Sequence, residues 1–134
     1  MIVITGSESF VGKELIKQCK ENKIPVIGID SINVKNTDYT YHQIDIRDPK
    51  ISEIIPENID AIIHLAALSR DADCKGKAYE CFDVNVIGTL NLIKAANKKN
   101  VKQFIFASSE WVYNDFTENE EKDENEIIDA SKHT

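Results

Sequence analysis

Residues 2–15 read IVITGSESFVGKEL, and this stretch decides the fold that the sequence predicts. It opens with an apolar, β-branched run of the kind that forms a strand buried on both faces of a parallel sheet. From residue 10 to residue 22 the apolar side chains fall on one helical face and the charged ones on the other. The two patterns meet at a turn that contains Gly6 and Gly12. The sequence therefore predicts a strand, a glycine-containing turn and a helix, in that order.

The rest of the chain continues to alternate strands with helices or crossovers. Further strands are predicted at residues 24–30, 41–46, 60–67 and 101–109. A short helix is predicted at residues 49–55 and a long one at residues 78–97. The long helix is expected to bury a stripe formed by Phe82, Val86, Leu90, Ile93 and Ala96. This alternation is typical of βαβ units and favours an α/β fold built on a doubly wound parallel sheet.

The spacing of small residues in the turn favours a dinucleotide site. A pyrophosphate must come close to a helix N-terminus, where backbone N–H groups and the helix dipole attract negative charge. Gly6 lets the chain turn off the strand, Ser9 is small enough for phosphates to approach, and Gly12 lets the helix pack against the strand. The Ser9 hydroxyl could also bond a phosphate. A turn with a purely structural glycine is the alternative.

Asp30 supports the dinucleotide interpretation, because it ends the second predicted strand 18 residues after Gly12. A carboxylate at that place can accept hydrogen bonds from both hydroxyls of an adenosine ribose. The same charge would repel a 2′-phosphate, so NAD is expected in preference to NADP. The alternative is that Asp30 is only a turn residue at the end of a strand.

Charge and hydropathy argue against several classes of function. The net charge of −7 is local, because residues 115–129 hold eight acidic residues and one lysine. The remainder is balanced and lacks the basic excess of a nucleic-acid-binding protein. The sequence has neither a membrane-span pattern nor a signal-peptide pattern, so no membrane partner and a cytoplasmic location are expected. Residues 1–114 are expected to form one domain, and residues 115–134 an acidic, mobile tail.

The cysteines and histidines indicate neither a disulfide framework nor a metal site. The three cysteines are an odd number without a CxxC pair. Cys19 lies on the apolar face of the first helix and is expected to be a buried free thiol. None of the three histidines has zinc-finger spacing from a cysteine. His64 follows a hydrophobic strand and is expected to be a packed core residue.

Six segments carry a resemblance to a known family. They are VITGSESFVG, IPVIGIDSIN, QIDIRD, IIHLAA, NVIGTLNLIKAA and VKQFIFASSEWVY. Their order and spacing resemble those of the extended short-chain dehydrogenase/reductases, and among these the NAD-dependent epimerases and dehydratases of nucleotide sugars. The resemblance extends over residues 2–113. It implies a Rossmann-like sheet of about five strands in the order 3-2-1-4-5, a nucleotide sugar as the substrate class, and hydride transfer to NAD from a sugar carbon.

The resemblance also implies the cofactor contacts. The pyrophosphate would be lined by Gly6, Ser9, Phe10, Val11 and Gly12. The adenosine would be held at its ribose and phosphate by Asp30 and Asn33, and at its adenine by Asp45 and Ile46. The nicotinamide ribose would be contacted by Leu65, Ala66, Ala67 and Asn85. For Asn85, the alternative is a buried helix asparagine with a local partner.

The family's catalytic residues are only partly matched. In the family, a tyrosinate removes the hydroxyl proton, a lysine four residues later lowers the tyrosine pKa, and a serine or threonine hydrogen-bonds the reacting hydroxyl. Ser109 matches the last role, with a plain strand-end serine as the alternative. No tyrosine of this chain precedes a lysine by four positions, and the segment IIDASK at 127–132 has Ile128 where the tyrosine would stand. Lys132 could still bind the cofactor ribose, unless ASK matches by chance.

Three hypotheses follow from these observations. The first is the NAD-binding portion of an epimerase- or dehydratase-type oxidoreductase whose substrate-binding lobe is absent. The second is a catalytically inactive NAD-binding module. The third is a nucleotide-free protein that keeps only the fold, supported solely by Ser9 in the place of a middle glycine. Family members are roughly twice as long, and a sheet ending at QFIFA would expose an apolar edge, so a homodimer or a missing C-terminal half is expected.

Overall fold

A parallel five-stranded sheet forms the centre of the structure, a computed structural model that describes residues 1–113 and 121–125. The strands are β1 (Ile2–Thr5), β2 (Val26–Asp30), β3 (Thr40–Gln43), β4 (Ala61–His64) and β5 (Gln103–Phe106). They lie in the order β3-β2-β1-β4-β5, and every neighbouring pair is parallel. The predicted fold class and strand order are confirmed. The order reverses between β1 and β4, which places a crevice at the carboxyl ends of these strands.

The connections between the strands are mostly helical. The helices are α1 (Phe10–Glu21), α2 (Ile51–Ile54), α3 (Asp71–Cys74), α4 (Ala78–Phe82) and α5 (Thr89–Lys98). A π-helical segment, Asp83–Gly88, joins α4 to α5, and a 3₁₀ turn, Glu110–Tyr113, follows β5. The third strand is shorter than predicted, because the Asp45 carboxylate accepts a hydrogen bond from the Arg47 N–H and turns the chain after Gln43.

The two faces of β1 supply two separate apolar cores. Val3 belongs to the larger core, which also holds Ile62 of β4 and Leu92 of α5. Ile4 points the other way and packs with Ile16 and Cys19 of α1. This alternation places helices on both faces of the sheet. Cys19 is a buried free thiol, as predicted, and burial raises its pKa.

The buried stripe predicted for the long helix is wrong in four of its five positions. Only Ala96 is buried, whereas Leu90 is 56% exposed. The buried residues are instead Leu92, Ala95 and Ala96. This helix carries apolar residues on two faces, so periodicity cannot choose between them, and the π-helical segment changes the phase of the side chains. We call the exposed set Phe82, Val86, Leu90 and Ile93 the outer face.

The edge of the sheet at β5 is apolar and open, as the sequence predicts. Ile105 is 41% exposed and Phe106 is 57% exposed. Among residues 1–113 and 121–125, β5 is the last strand of the sheet and pairs only with β4. Together with the outer face, this edge leaves a considerable apolar surface on the described part of the chain.

Cys74 and Cys81 form a disulfide, which corrects the expectation drawn from the cysteine count. Their Cα atoms are 5.7 Å apart. They lie on α3 and α4, two consecutive short helices joined by a turn in which Gly76 has a φ of +74°. A spacing of seven residues does not reveal this pairing, because α3, the helix that carries Cys74, was not predicted.

Candidate functional site

The glycines of the first turn are required by close backbone contacts at the crevice. Gly6 has a φ of +70°, and a Cβ atom on it would lie 2.7 Å from the backbone nitrogen of Ala66. A Cβ atom on Gly12 would lie 2.2 Å from the carbonyl oxygen of Gly6. The first glycine therefore lets the turn approach the end of β4, and the second lets α1 pack onto the turn.

Ser9 caps the helix that the glycine turn opens. Its Oγ accepts a hydrogen bond from the Gly12 N–H at 3.0 Å, a bond typical of an N-cap residue. Sequence reasoning missed this role, although a serine directly before a helical pattern is its usual signal. The N–H groups of Phe10 and Val11 have no helical carbonyl one turn earlier, and both residues are exposed. Within residues 1–113 and 121–125 these two donors and the Ser9 hydroxyl proton have no acceptor, which leaves them available to an anion.

The Asp30 carboxylate is held at the end of β2 by backbone donors. Its Oδ2 accepts from the Glu8 N–H at 2.9 Å and its Oδ1 from the Ile32 N–H at 3.3 Å. Because a carboxylate offers about four acceptor positions, two remain for ribose hydroxyls. Asn33, the other predicted adenosine contact, is exposed on the loop that follows. The structure thus fixes the orientation of the acid before any ligand binds.

Asp45 is engaged by an arginine that sequence reasoning did not single out. Arg47 donates to both oxygens of Asp45, at 3.0 Å from Nε and 2.7 Å from Nη2, and to Asp83 at 2.9 Å. Hydrogen bonding to Arg47 lowers the pKa of the Asp45 carboxyl. The predicted adenine contact would therefore use an ionised, oriented carboxylate. Ile46 beside it is buried and lies against Gly88, where a Cβ atom would be 2.7 Å from the Ile46 Cδ1.

The residues predicted for the nicotinamide ribose meet at a small cavity of about 120 Å³ at the end of β4. It is lined by His64, Leu65, Ala66, Ala67, Asn85, Thr89, Phe106 and Ala107. The Asn85 side-chain amide makes two hydrogen bonds to the backbone of Leu68. Its Oδ1 accepts from the Leu68 N–H at 2.8 Å, and its Nδ2 donates to the Leu68 carbonyl at 2.9 Å. Asn85 therefore has a local partner, and its direct contact with a cofactor stays a prediction.

His64 is buried between two threonines, with 2% of its surface exposed. Its Nδ1 lies 2.7 Å from the Thr5 hydroxyl and its Nε2 lies 2.9 Å from the Thr89 hydroxyl. The rings of Phe104 and Phe106 lie beside it, with centroid distances of 5.9 and 5.7 Å. Burial lowers the pKa of His64 to about 4. The ring is therefore neutral at physiological pH, in a core position as predicted.

Acidification should destabilise the protein through His64. Its pKa is about 4 in the folded chain, against an ordinary value of 6.5, so the unfolded chain binds the proton more tightly. The contribution of His64 to stability is complete above pH 6.5 and declines by about 3 kcal/mol as the pH falls to 4. Urea unfolding at a series of pH values checks this. A flat profile of the unmodified chain between pH 6.5 and 4 would contradict this contribution of His64.

The structure describes only part of the predicted catalytic set. Ser109 is exposed and lies three residues beyond β5, before the 3₁₀ turn. Lys132, Ile128 and Ser131 lie outside the described residues, as does most of the predicted acidic tail. The catalytic role of Ser109 and the cofactor role of Lys132 therefore stay predictions.

A larger cavity of about 370 Å³ lies along α1, away from the nicotinamide-ribose residues. Its walls come from Ser7, Glu8, Lys13, Ile16, Lys17, Lys20, Glu21, Asp38 and Tyr39. All three lysines are paired with acids; Lys13, for example, lies 3.5 Å from Glu8. Its charges therefore balance within the protein, and it offers an anion no uncompensated cation.

The family model of the NAD dependent epimerase/dehydratase family matches residues 2–133 of this chain. The chain is also similar to a UDP-glucose 4-epimerase of Klebsiella pneumoniae, with 30% identity over 128 residues. That match covers 85% of this chain and 92% of the Klebsiella protein. Both comparisons agree with the fold described above.

Solved structures show the same similarity over a shorter share of their length. The UDP-glucose-4-epimerase of Stenotrophomonas maltophila, with bound NAD and formylated UDP-arabinopyranose, is 26% identical with a TM-score of 0.75. The UDP-glucose 4-epimerase of Thermotoga maritima, with UDP-glucose, is 28% identical with a TM-score of 0.74. The matches cover 84% and 90% of this chain, but only 38% and 41% of those chains. This chain therefore spans about two fifths of the length of these solved relatives.

Proposed function

Since the chain belongs to the NAD-dependent epimerase/dehydratase family, we propose that it is the NAD-binding portion of a nucleotide-sugar epimerase- or dehydratase-type oxidoreductase. The crevice at the carboxyl ends of β1, β2 and β4 carries this proposal. There the close approach of Gly6 to β4, the open N–H groups at the start of α1, and the Asp30 carboxylate lie together. NAD is favoured over NADP, because Asp30 suits free ribose hydroxyls and would repel a 2′-phosphate.

The residues of the crevice suit each part of a dinucleotide. The Phe10 and Val11 N–H groups and the dipole of α1 would hold the pyrophosphate. Asp30 would hold the adenosine ribose, with Asn33 beside it, while Asp45 and Ile46 would flank the adenine. The small side chains of Ala66 and Ala67 would let the nicotinamide ribose approach the end of β4. When bound, NAD supplies hydride transfer at a sugar carbon.

The proton-transfer step is the incomplete part of this function. Ser109 would hydrogen-bond the reacting sugar hydroxyl, and Lys132 would bind the cofactor ribose. No tyrosine in this sequence has a lysine four positions on, so the general base must come from another residue or another polypeptide segment. A catalytically inactive NAD-binding module is the second candidate function, favoured by Ile128 in the place of the family tyrosine.

The partners proposed for the chain follow from its surface and its relatives. A nucleotide sugar is the proposed substrate, since the solved relatives hold UDP sugars. The outer face and the open edge at β5 are the proposed contact with a second copy or with a C-terminal half. Among residues 1–113 and 121–125, no helix is long and apolar enough to span a membrane. The cytoplasmic location inferred from the sequence remains part of the proposal.

Replacing Asp30 should weaken NAD binding. Asp30→Ala removes the charged acceptor for the ribose hydroxyls, and hydrogen bonds to charged groups contribute about 1.5–3 kcal/mol each. We expect NAD affinity to fall roughly 10- to 100-fold and the preference for NAD over NADP to shrink, as measured by calorimetric titration. Asp38→Ala is the matched control, because Asp38 is also an aspartate but pairs with Lys20 and not with the backbone of the first turn. Equal affinities for Asp30→Ala and the unmodified chain would refute the assigned ribose contact.

A further inference from the structure

A continuous line of hydrogen bonds crosses the sheet through His64. It starts at the Ala66 N–H, which donates to the Thr5 Oγ1 at 3.4 Å. It continues through Nδ1 and Nε2 of His64, at 2.7 and 2.9 Å from the two threonine hydroxyls. It ends where the Thr89 hydroxyl donates to the carbonyl of Asn85 at 2.7 Å. The line thus joins the end of β1, the segment after β4 and the π-helical segment.

The donors in this line fix the tautomer of His64. Thr89 has one hydroxyl proton and gives it to the Asn85 carbonyl, so it must accept from the His64 Nε2–H. A neutral imidazole then has a bare Nδ1, which accepts the Thr5 hydroxyl proton. The Thr5 oxygen is left to accept from the Ala66 N–H. Each hydrogen bond of the line therefore has one possible donor and one possible acceptor, which gives the His64 ring a defined orientation.

Both ends of the line reach the wall of the cavity at the end of β4. Through Thr5, the line holds the backbone of Ala66. Through Thr89, it holds the π-helical segment that carries Asn85. The Asn85 amide then bonds to both the N–H and the carbonyl of Leu68. The segment from Leu65 to Leu68 is therefore held from two sides. Within the described part of the chain, His64 is the only side chain that bonds to both threonines.

We infer that His64 is a positioning residue for the nicotinamide-ribose side of the site. It acts on the segment from Leu65 to Leu68, through Thr5 at Ala66 and through Thr89 at Asn85. This inference rests on the proposed NAD-binding function. A role in packing alone would require only that the ring fill space beside Phe104 and Phe106. The positioning role instead requires the Nε2–H bond to Thr89.

Thr89→Val tests the positioning role, because valine keeps the shape of threonine and removes the hydroxyl that accepts from His64 and donates to the Asn85 carbonyl. Binding of NAD and of ADP would be compared by calorimetric titration, since ADP contains only the adenosine diphosphate half. We expect NAD affinity to fall roughly 10-fold and ADP affinity to change less than about 2-fold. Thr89→Ser, which retains the hydroxyl, should rescue NAD affinity.

Each alternative outcome has a definite meaning. An equal loss of NAD and ADP affinity, or no loss of either, would overturn the positioning role while leaving the proposed function intact. Failure of the unmodified chain to bind NAD would overturn the proposed function and this inference with it. If Thr89→Val does not fold, nitrogen NMR of the unmodified chain decides: a protonated Nε2 with a bare Nδ1 supports the inference, and the opposite tautomer overturns it.

Discussion

Alanine at Gly6 is expected to destabilise the protein much more than alanine at Gly76. Both glycines have a left-handed backbone, with φ of +70° and +74°, so both substitutions carry the same backbone penalty of about 1–2 kcal/mol. Only at Gly6 would the new Cβ meet other backbone atoms, at 2.7 Å from the Ala66 nitrogen and 2.9 Å from the Leu65 carbonyl carbon. At Gly76 a Cβ would meet nothing within 4 Å. Gly76→Ala is therefore a matched control for backbone strain.

We expect Gly6→Ala to lower the free energy of unfolding by about 1–3 kcal/mol more than Gly76→Ala, because backbone atoms cannot move aside as a flexible side chain can. Urea unfolding of both variants and the unmodified chain measures the difference. Gly6→Ala should also displace the segment after β4 and reduce NAD affinity at temperatures where the variant is still folded. Equal losses of stability in the two variants would show that the first turn does not approach β4 this closely.

Leu92→Ala should cost far more stability than Leu90→Ala, although the two leucines lie two residues apart on α5. Leu92 is fully buried in the larger core, whereas Leu90 is 56% exposed on the outer face. Truncating a buried leucine removes apolar contacts and leaves a cavity, which costs about 2–5 kcal/mol. Truncating an exposed one changes stability by about 0.5 kcal/mol or less. The pair thus tests the orientation of the helix with one residue type.

The comparison is made by urea unfolding over a dilution series, because a second copy on the outer face would bury Leu90. At the lowest concentrations only Leu92→Ala should reduce the unfolding midpoint. If the outer face joins two copies, Leu90→Ala should lower stability at high concentration alone. A larger loss from Leu90→Ala at low concentration would mean that the stripe predicted from the sequence is the buried one.

The parts of the fold that the sequence predicts well depend on local patterns. The apolar run before Gly6, the amphipathic pattern of α1 and the alternation of strands with helices identify the parallel sheet. The phase of the long helix depends instead on which of two apolar faces meets the sheet, and Leu90 and Leu92 are indistinguishable in that respect from sequence alone. The Cys74–Cys81 disulfide likewise depends on two short helices whose juxtaposition no periodicity signals.

In the candidate site, too, features that depend on local sequence are predicted, and contacts between distant residues are not. Gly6, Gly12 and Asp30 follow from the spacing of residues near the first turn, and the structure brings all three to one crevice. The long-range bonds of Arg47 and His64 do not follow from the sequence, because each joins residues that are distant along the chain. Arg47 bonds to Asp83 across 36 positions, and His64 bonds to Thr5 across 59. Such contacts exist only once the sheet has assembled.

Calorimetric titration of the purified chain with NAD, repeated with NADP, shows whether the crevice binds a dinucleotide. The chain would first be shown to be folded by circular dichroism and by cooperative urea unfolding. We expect saturable binding of NAD at one site per chain, with weaker binding of NADP. A folded chain that binds neither dinucleotide would contradict the proposed NAD-binding function.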